Sequence, residues 1–211
     1  MSTNGGQAKG VVLALVLAGC AESNKFTPGD SMFPSFAVGV RIDVKKLDDA
    51  PGRGRVIVFR APEDPDHEYL KRVIGVPGDT LSMNGTEVVL NGMPIPRCAV
   101  GAWRHAERNG SVHNGQLWLE ALAGTKWLVS HDDAATSGPT GPWTVAAGEV
   151  FVLGDNREHS HDSREWFGKR GGGLPFELVV GGLAASEPTL PIGAEPLASA
   201  LRTCVAEVSR S

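Results

Sequence analysis

Residues 68–79 read Glu-Tyr-Leu-Lys-Arg-Val-Ile-Gly-Val-Pro-Gly-Asp, and this stretch decides the fold. Its apolar and β-branched residues predict a β-strand from Tyr69 to Val76, which a Pro-Gly turn ends. Because side chains alternate between the two faces of a strand, Tyr69, Lys71 and Val73 share one face. The pattern therefore places Lys71 among apolar side chains.

A lysine in an apolar setting differs chemically from a lysine in water. Burial disfavours the ammonium form and lowers the pKa of the side chain, by up to about 3–5 units when burial is complete. The neutral amine that results can act as a general base. By itself, a single lysine on a strand is more typical of a surface residue, so Lys71 needs a partner elsewhere in the sequence.

Other predicted strands flank this one. Arg41–Val44, Arg55–Phe59 and Glu149–Leu153 have the composition of strands, whereas the acidic, proline-containing segment Ala61–His67 is predicted to be a loop. The chain has 27 Gly and 14 Pro, which favours short strands joined by tight turns. We therefore predict a mainly β fold with an antiparallel β-sheet core.

The middle of the chain is rich in turn signals. Asn84-Gly85, Asn91-Gly92 and Asn114-Gly115 are pairs typical of β-hairpin turns. A further hairpin is predicted between Gln116–Leu119 and Lys126–Val129. These signals indicate a second β region inserted into the core.

The composition bounds the function. The 211 residues are 41% hydrophobic and 21% charged, which is typical of a globular protein with a packed core. The formal net charge is −4, and no basic stripe offers a surface for a phosphate backbone. We therefore expect no nucleic-acid partner.

Residues 28–35 read Pro-Gly-Asp-Ser-Met-Phe-Pro-Ser and contain a candidate nucleophile, Ser31. A serine hydroxyl is a poor nucleophile until a base takes its proton. Alone, such a segment is more typical of a turn with a capping serine. Lys71 is a residue of the type that could serve as the base.

A third segment follows the predicted strand Glu149–Leu153. Residues 154–168 read Gly-Asp-Asn-Arg-Glu-His-Ser-His-Asp-Ser-Arg-Glu-Trp-Phe-Gly. Short donors and acceptors at this density are typical of a hydrogen-bonded loop that fixes other side chains. We therefore expect this loop to hold the base in place.

In this order, the three segments resemble the signature boxes of bacterial type I signal peptidase, a serine protease family with a Ser-Lys dyad. Residues 52–60 also resemble the strand box of that family, and the resemblance spans roughly residues 10–185. Three ordered boxes are a specific signal. The resemblance implies a hydrolase: a membrane-tethered serine endopeptidase that removes N-terminal signal peptides from exported preproteins during protein secretion.

The resemblance also implies roles for single residues. Ser31 would attack the scissile carbonyl and Lys71 would accept its proton. Ser160 stands where the family has a serine whose hydroxyl orients the lysine amine. The backbone N–H of Ser31 would form part of the oxyanion hole, next to Gly29 and Asp30.

Two ion pairs of the family have counterparts here. Asp155 with Arg72, and Asp162 with Arg164, match pairs that brace the site. The chain departs from the family pattern at a few positions, which are Gly29 where some members have serine, Ser35 where threonine is usual, and Glu158 and His159 where Asp and Asn are common. None of these departures removes the nucleophile or the base.

The N-terminal segment allows two interpretations. The apolar run Val11–Gly19 follows Lys9 and is shorter than the roughly 20 residues of an ordinary membrane span. It suits a short signal anchor, yet Leu17–Cys20 also resembles a lipobox, in which Cys20 would be acylated. A misassigned start codon is a third option. Both main interpretations place the domain on the outer, periplasmic face of the bacterial inner membrane.

We therefore predict four parts of the chain, which are an N-terminal signal anchor or lipoprotein signal (1–27), a catalytic core (28–79 with 148–185), an inserted variable β region (80–147) and a C-terminal tail with a short helix (186–211). Without Cys20, Cys98 and Cys204 remain either as a disulfide pair or as two unpaired thiols. By resemblance, the substrate would bind as an extended strand with small residues before the cut. No metal or organic cofactor is implied.

Alternative functions compete with this one. His159 and His161 beside Asp162 could suggest a metal site, but histidines in a polar loop are more typically exposed to solvent. A self-cleaving repressor shares the Ser-Met segment and the dyad, but would have a DNA-binding domain and no Gly-Asp-Asn-Arg box. A peptidase specialised for pilins or conjugation proteins, and an inactive membrane-anchored binding module, remain alternatives.

Overall fold

The computed structural model of the chain describes residues 24–106, 110–133, 138, 140–183, 189–190 and 194–210. These residues form fourteen strands and two α-helices, and every pairing between the strands is antiparallel. The strands are β1 (Asn24–Phe26), β2 (Ile42–Val44), β3 (Val56–Ala61), β4 (Asp64–Gly75), β5 (Thr80–Asn84), β6 (Glu87–Leu90), β7 (Met93–Pro94), β8 (Arg97–Ala106), β9 (Val112–Leu122), β10 (Thr125–Asp132), β11 (Trp143–Thr144), β12 (Glu149–Leu153), β13 (Leu174–Pro175) and β14 (Val179–Gly182). The helices are α1 (Trp166–Lys169) and α2 (Ala198–Val208). The predicted mainly β fold is confirmed.

The strands form four sheets. The central one has five strands in the order β13-β12-β4-β3-β14. A four-stranded sheet has the order β11-β5-β6-β7, a three-stranded sheet the order β10-β9-β8, and β1 pairs with β2. Short connections join most neighbouring strands, which is what the density of Gly and Pro in the sequence predicts.

The central sheet holds Lys71 in the setting that strand alternation predicts. Lys71 lies opposite Ile57 on β3. Ile57, Phe59 and Val73 are fully buried in one cluster, against which Tyr69 packs. Apolar burial on this scale drives folding, and it fixes the backbone on both sides of Lys71.

Strand β4 begins earlier than the sequence predicts, which corrects the loop expected at Ala61–His67. Its first residues are exposed and pair with the end of β3, where Ala61 lies opposite Asp64. The extension is held by backbone hydrogen bonds and buries little side-chain surface. A hydrophobic pattern therefore could not indicate it.

The Asn-Gly signals have different outcomes. Asn91 and Gly92 have φ of 52° and 80° and form the tight turn between β6 and β7. Asn114-Gly115, predicted as a turn, instead lies within β9. A Cβ on Gly115 would lie 2.2 Å from the carbonyl oxygen of His131, so glycine serves the close approach of β10 rather than a turn.

The three-stranded sheet packs on both the central sheet and α2. The hairpin of β9 and β10 is present and its strands are longer than predicted. Cys204 and Val208 of α2 are buried against β8 and β9. A disulfide joins Cys98 to Cys204, with Cα atoms 5.4 Å apart, which resolves the pairing that the sequence left open.

The N-terminal segment lies mostly outside the described residues. Both interpretations of it, the signal anchor and the lipidated Cys20, fall on residues 1–23 and so are outside that part. Within the described part, no helix has the length and apolar character needed to cross a membrane.

Candidate active site

A single helical turn, Asp30–Met32, presents Ser31. Met32 is fully buried and anchors the turn in the core. The loop that follows β12 holds the turn from the other side: the backbone N–H of Asn156 donates to the carbonyl of Ser31 at 3.1 Å, and Asn156 Nδ2 donates to the carbonyl of Asp30 at 3.2 Å. The candidate nucleophile is thus fixed at its backbone while its side chain remains available.

The Lys71 amine lies against the Ser31 hydroxyl. Lys71 Nζ is 2.7 Å from Ser31 Oγ and donates a second hydrogen bond, of 3.1 Å, to the carbonyl of Leu70. The amine also lies 5.3 Å from the centre of the Tyr69 ring. The two residues are 40 positions apart in sequence, and the structure brings them into direct contact.

The environment of Lys71 favours the neutral amine. Burial lowers the pKa of Lys71 from 10.5 to about 8, although the negative charges of Asp162 and Asp155 raise it in part. The residue is only 3% exposed. A substantial fraction of the amine is therefore neutral near pH 8, as a general base requires.

Ser160 lies beside the dyad in a tightly packed position. It is 7% exposed and lies near Asp162, and within the described residues it makes no hydrogen bond of ordinary geometry to Lys71. A Cβ on Gly154 would lie 2.2 Å from Ser160 Oγ and 2.6 Å from the carbonyl oxygen of Ser31. Gly154, which the sequence did not single out, is therefore required where the loop and the Ser31 turn meet.

The predicted ion pair of Asp162 and Arg164 is present behind Lys71. Arg164 Nε and Nη2 donate to the two carboxylate oxygens of Asp162 at 2.8 and 2.9 Å. Burial alone would raise the pKa of Asp162, but the charge of Arg164 and hydrogen bonds, one of them from the Gly154 N–H, hold it below its ordinary value. Asp162 stays ionised in a fully buried position and orders the loop.

The second predicted pair, Arg72 with Asp155, is also present. Arg72 donates two hydrogen bonds to the carboxylate, of 2.9 and 2.7 Å, and a third to the carbonyl of Gly54 at 2.9 Å. The guanidinium lies 4.7 Å from the Trp127 ring. Bidentate geometry fixes orientation as well as distance, so the start of the loop is tied to β4 one residue after Lys71.

A third buried ion pair was not predicted from the sequence. Arg157 pairs with Glu120 of β9, and both side chains are almost completely buried. Arg157 Nε also donates to the carbonyl of Gly154 at 3.1 Å, and Ser130 of β10 exchanges backbone hydrogen bonds with the loop at Asp155 and Arg157. The three-stranded sheet therefore directly supports the loop, which no local sequence signal indicated.

A cleft of about 480 Å³ opens over the dyad. Its lining residues are Phe26, Gly29, Asp30, Ser31, Glu68, Tyr69, Leu70, Lys71, His159 and His161. Strand β4 forms one wall, and it pairs with β12 only through residues 72–75. Within the described residues, the edge of β4 beside Lys71 is therefore open toward the cleft.

The two histidines noted in the sequence both line the cleft but contact different carboxylates. His161 Nε2 lies 3.0 Å from a carboxylate oxygen of Glu63, whereas His159 Nε2 lies 2.8 Å from Asp132 Oδ2. His159, Asp132 and His113 form a group whose ligand atoms all lie within 4.8 Å of one another. No local pattern in the sequence connects His113 with Asp132.

Comparisons with known proteins find a matching family and similar curated relatives. The family described as "Signal peptidase, peptidase S26" matches residues 8–186. A signal peptidase I of Pseudomonas fluorescens is 36% identical over 137 residues, which cover 62% of this chain and 46% of the relative. One of Leptolyngbya laminosa is 30% identical over 181 residues, covering 81% of this chain and 71% of the relative.

Among solved structures, a signal peptidase I from Enterococcus faecalis aligns with a TM-score of 0.38 at 25% identity, covering 64% of this chain and 98% of that one. The chain spans about half the length of the first curated relatives that it matches, which are aligned over 46%, 46% and 50% of their residues.

Proposed function

Because the chain belongs to the signal peptidase family, peptidase S26, we propose that it is a membrane-tethered serine endopeptidase that removes N-terminal signal peptides from exported preproteins. One observation carries the proposal: the buried amine of Lys71 lies 2.7 Å from Ser31 Oγ. This distance is within the range for direct proton transfer between a nucleophile and its base.

The proposed reaction has two halves. In the first, neutral Lys71 takes the proton of Ser31 as Oγ attacks the scissile carbonyl, and the resulting ammonium then protonates the departing amine. This leaves the signal peptide as an acyl ester on Ser31. In the second half, Lys71 takes a proton from water, hydroxide attacks the ester, and the proton returns to Ser31 as the signal peptide leaves.

The tetrahedral intermediate carries a negative oxygen that needs donors. We assign the backbone N–H of Ser31 to this role, with Gly29 and Asp30 shaping the surrounding turn. One such donor contributes about 3–4 kcal/mol to the transition state in other serine proteases. Because Asn156 holds the Ser31 carbonyl, the turn is supported in a fixed conformation.

The open edge of β4 supports a mode of substrate binding. An extended peptide can add to an exposed strand edge, so that backbone hydrogen bonds hold any sequence while pockets select side chains. The edge beside Leu70 and Lys71 faces the cleft, which would place the bound peptide next to Ser31. We propose that this part of the cleft accepts the small side chains that precede the cleavage site of the preprotein.

The proposal includes a location on the outer face of the bacterial inner membrane. The disulfide between Cys98 and Cys204 supports it, since disulfides persist in oxidising compartments and are rare in the cytosol. Either a signal anchor or a lipidated Cys20 would provide the tether. Mass spectrometry of the mature N-terminus distinguishes them, because an unmodified peptide that runs through Cys20 excludes lipidation.

Cleavage of a purified preprotein tests the proposed function. We expect the purified chain to cut the preprotein at its signal-peptide junction, and Ser31→Ala and Lys71→Ala each to reduce the rate by at least about 1,000-fold. Lys46→Ala, which removes an exposed lysine, is the matched control and should retain full activity. Full activity in either dyad variant would exclude the mechanism.

A further inference from the structure

Three side chains from distant parts of the chain meet at the edge of the cleft. His113 lies near the start of β9, Asp132 is the last residue of β10, and His159 lies in the loop after β12. His113 Nδ1 is 3.1 Å and His159 Nε2 is 2.8 Å from the same oxygen, Asp132 Oδ2. The two imidazole rings have centroids 4.2 Å apart.

These distances are close to those of a metal site. Zn²⁺ binds imidazole nitrogen and carboxylate oxygen at about 2.0–2.1 Å, so two ligands of a tetrahedral ion lie about 3.3 Å apart. The two nitrogen-to-oxygen distances here, 3.1 and 2.8 Å, are within about 0.5 Å of that value. Small side-chain rotations would therefore open a position for an ion.

The backbone holds the group together without an ion. β9 and β10 pair next to His113 and Asp132. Asp132 lies opposite Gly115, and the Asp133 N–H donates to the Asn114 carbonyl at 2.9 Å. Sites on paired strands are more precise than sites on free loops. Two of the three ligands are therefore positioned by the sheet.

Glu158 positions the third ligand relative to the other two. Its carboxylate accepts a hydrogen bond from the Asp132 N–H at 3.0 Å, and its other oxygen lies 3.0 Å from His131 Nδ1. The loop that carries His159 is thereby tied to the end of β10. Outer contacts of this kind orient metal ligands in known sites.

The ligand types select among cations. Two imidazoles and one carboxylate suit Zn²⁺ and other late transition metals, whereas Ca²⁺ and Mg²⁺ prefer oxygen ligands alone. The side chains of His113, Asp132 and His159 are 25%, 16% and 24% exposed, so an ion can enter from solvent. Water would complete the coordination.

We propose that His113, Asp132 and His159 bind one divalent transition-metal ion, with Zn²⁺ as the reference case. The ion takes no part in the Ser-Lys chemistry. It joins β9 and β10 to the loop that carries Ser160, one residue after His159. Because His159 also lines the cleft, the ion lies at the rim of the substrate-binding surface.

Metal binding to the full chain tests the proposal. The protein is prepared without a histidine tag, stripped with a chelator, and titrated with Zn²⁺ against a competing indicator dye. We expect one equivalent to bind with Kd below about 10 μM, and Mg²⁺ not to compete. His113→Ala and His159→Ala should each weaken binding at least about 10-fold.

Two further variants complete the design. Asp132→Asn keeps the size of the side chain and should also weaken binding, which guards against misfolding as the cause. His161→Ala is the matched control. It removes a histidine two positions from His159 whose observed contacts are with Glu63 and the Tyr69 ring, and the affinity of this variant for Zn²⁺ should equal that of the unaltered chain. Circular dichroism checks the fold of each variant.

Thermal unfolding gives a second readout. At a Zn²⁺ concentration about 100 times Kd, the Tm of the unaltered chain should rise by about 5 °C, and that of His113→Ala should not. Absence of 1:1 binding below about 10 μM, or binding that His113→Ala and His159→Ala both leave unchanged, would show that the three residues form only a hydrogen-bonded cluster.

Discussion

The five-stranded sheet and the three-stranded sheet both contact the loop after β12, and they do so with different groups. The five-stranded sheet supplies the amine of Lys71, which contacts Ser31, and the guanidinium of Arg72, which contacts Asp155. Among the described residues, the three-stranded sheet supplies no group that is seen to hydrogen-bond Ser31. It gives the buried carboxylate of Glu120 and the backbone groups of Ser130. One sheet thus carries the proposed chemistry, and the other restrains the loop that aligns it.

Removing Glu120 should cause the largest loss of stability. Glu120→Ala leaves Arg157 as a buried, uncompensated charge, and breaking such a pair costs about 3–5 kcal/mol in the free energy of unfolding. Denaturant titration measures the loss. We expect activity to fall as well, because Arg157 also holds the Gly154 carbonyl.

The ion pair between Glu87 of β6 and Arg97 of β8 provides a control for this prediction. Glu87 pairs with Arg97 at 3.5 Å, and both side chains are partly exposed, so Glu87→Ala should cost less than about 1 kcal/mol. Replacing both members of the buried pair, as in Glu120→Leu with Arg157→Met, should recover much of the lost stability. Equal effects of Glu120→Ala and Glu87→Ala would show that the three-stranded sheet does not restrain the loop.

The disulfide is the next largest contribution, and it acts away from the dyad. Replacing Cys98 and Cys204 together by serine removes a cross-link between residues 106 positions apart, which we expect to cost about 2–4 kcal/mol. The Tm should fall while the rate of cleavage at 25 °C stays within about twofold. Cys20→Ser is the control and should leave the Tm unchanged. A large loss of activity in the still-folded double variant would contradict this prediction, because the disulfide would then affect the dyad as well as stability.

The same division explains what the sequence could predict. Strand alternation predicted only the apolar setting of Lys71, whereas the roles expected for Lys71, Ser31, Asp155 and Asp162 came from the resemblance of three ordered segments to those of type I signal peptidase. The partner of Arg157 could not be found in this way, because Glu120 lies on another sheet 37 positions away. Contacts made by tertiary packing leave no local signature.

Glycine shows the same limit in two places. The sequence predicts a turn at Asn114-Gly115, yet Gly115 lies within β9, where the absence of a side chain allows β10 to approach closely. The importance of Gly154 depends on the positions of Ser160 and of the Ser31 carbonyl, which only the fold brings together. Likewise, the first residues of β4 from Asp64 pair through their backbone and bury little, so no apolar pattern marks them.

The pH dependence of cleavage tests the role proposed for Lys71 on the five-stranded sheet. In the proposed mechanism Lys71 acts as the neutral amine, and burial lowers its pKa to about 8. The value of kcat/KM should therefore rise with pH through about 8, and below that pH it should fall about tenfold per unit, so that the rate at pH 6 is about 100-fold below the plateau. A profile from pH 6 to 10 on a slowly cleaved preprotein measures this, with circular dichroism at each pH. A flat profile, or a midpoint near the ordinary 10.5 of lysine, would contradict the assigned base.

The smallest expected effect concerns the open side of the Ser31 turn. Gly29 has φ of −85°, which any residue adopts, and a Cβ there would have no atom within 4 Å. Serine therefore fits at this position without strain. Its hydroxyl could add one donor to the oxyanion hole, and a single neutral hydrogen bond contributes about 0.5–1.5 kcal/mol, or about 2–10-fold in kcat/KM.

Gly29→Ala distinguishes the effect of the added hydroxyl from the effect of replacing glycine in the backbone. Both substitutions restrict the unfolded chain and should raise stability by a similar amount, about 0.4–1 kcal/mol, whereas only serine brings a donor. We expect Gly29→Ala to keep the original kcat/KM and Gly29→Ser to exceed it. Equal rates for the two variants would mean that backbone donors already satisfy the oxyanion, so that the turn held by Asn156 is sufficient without a side-chain donor.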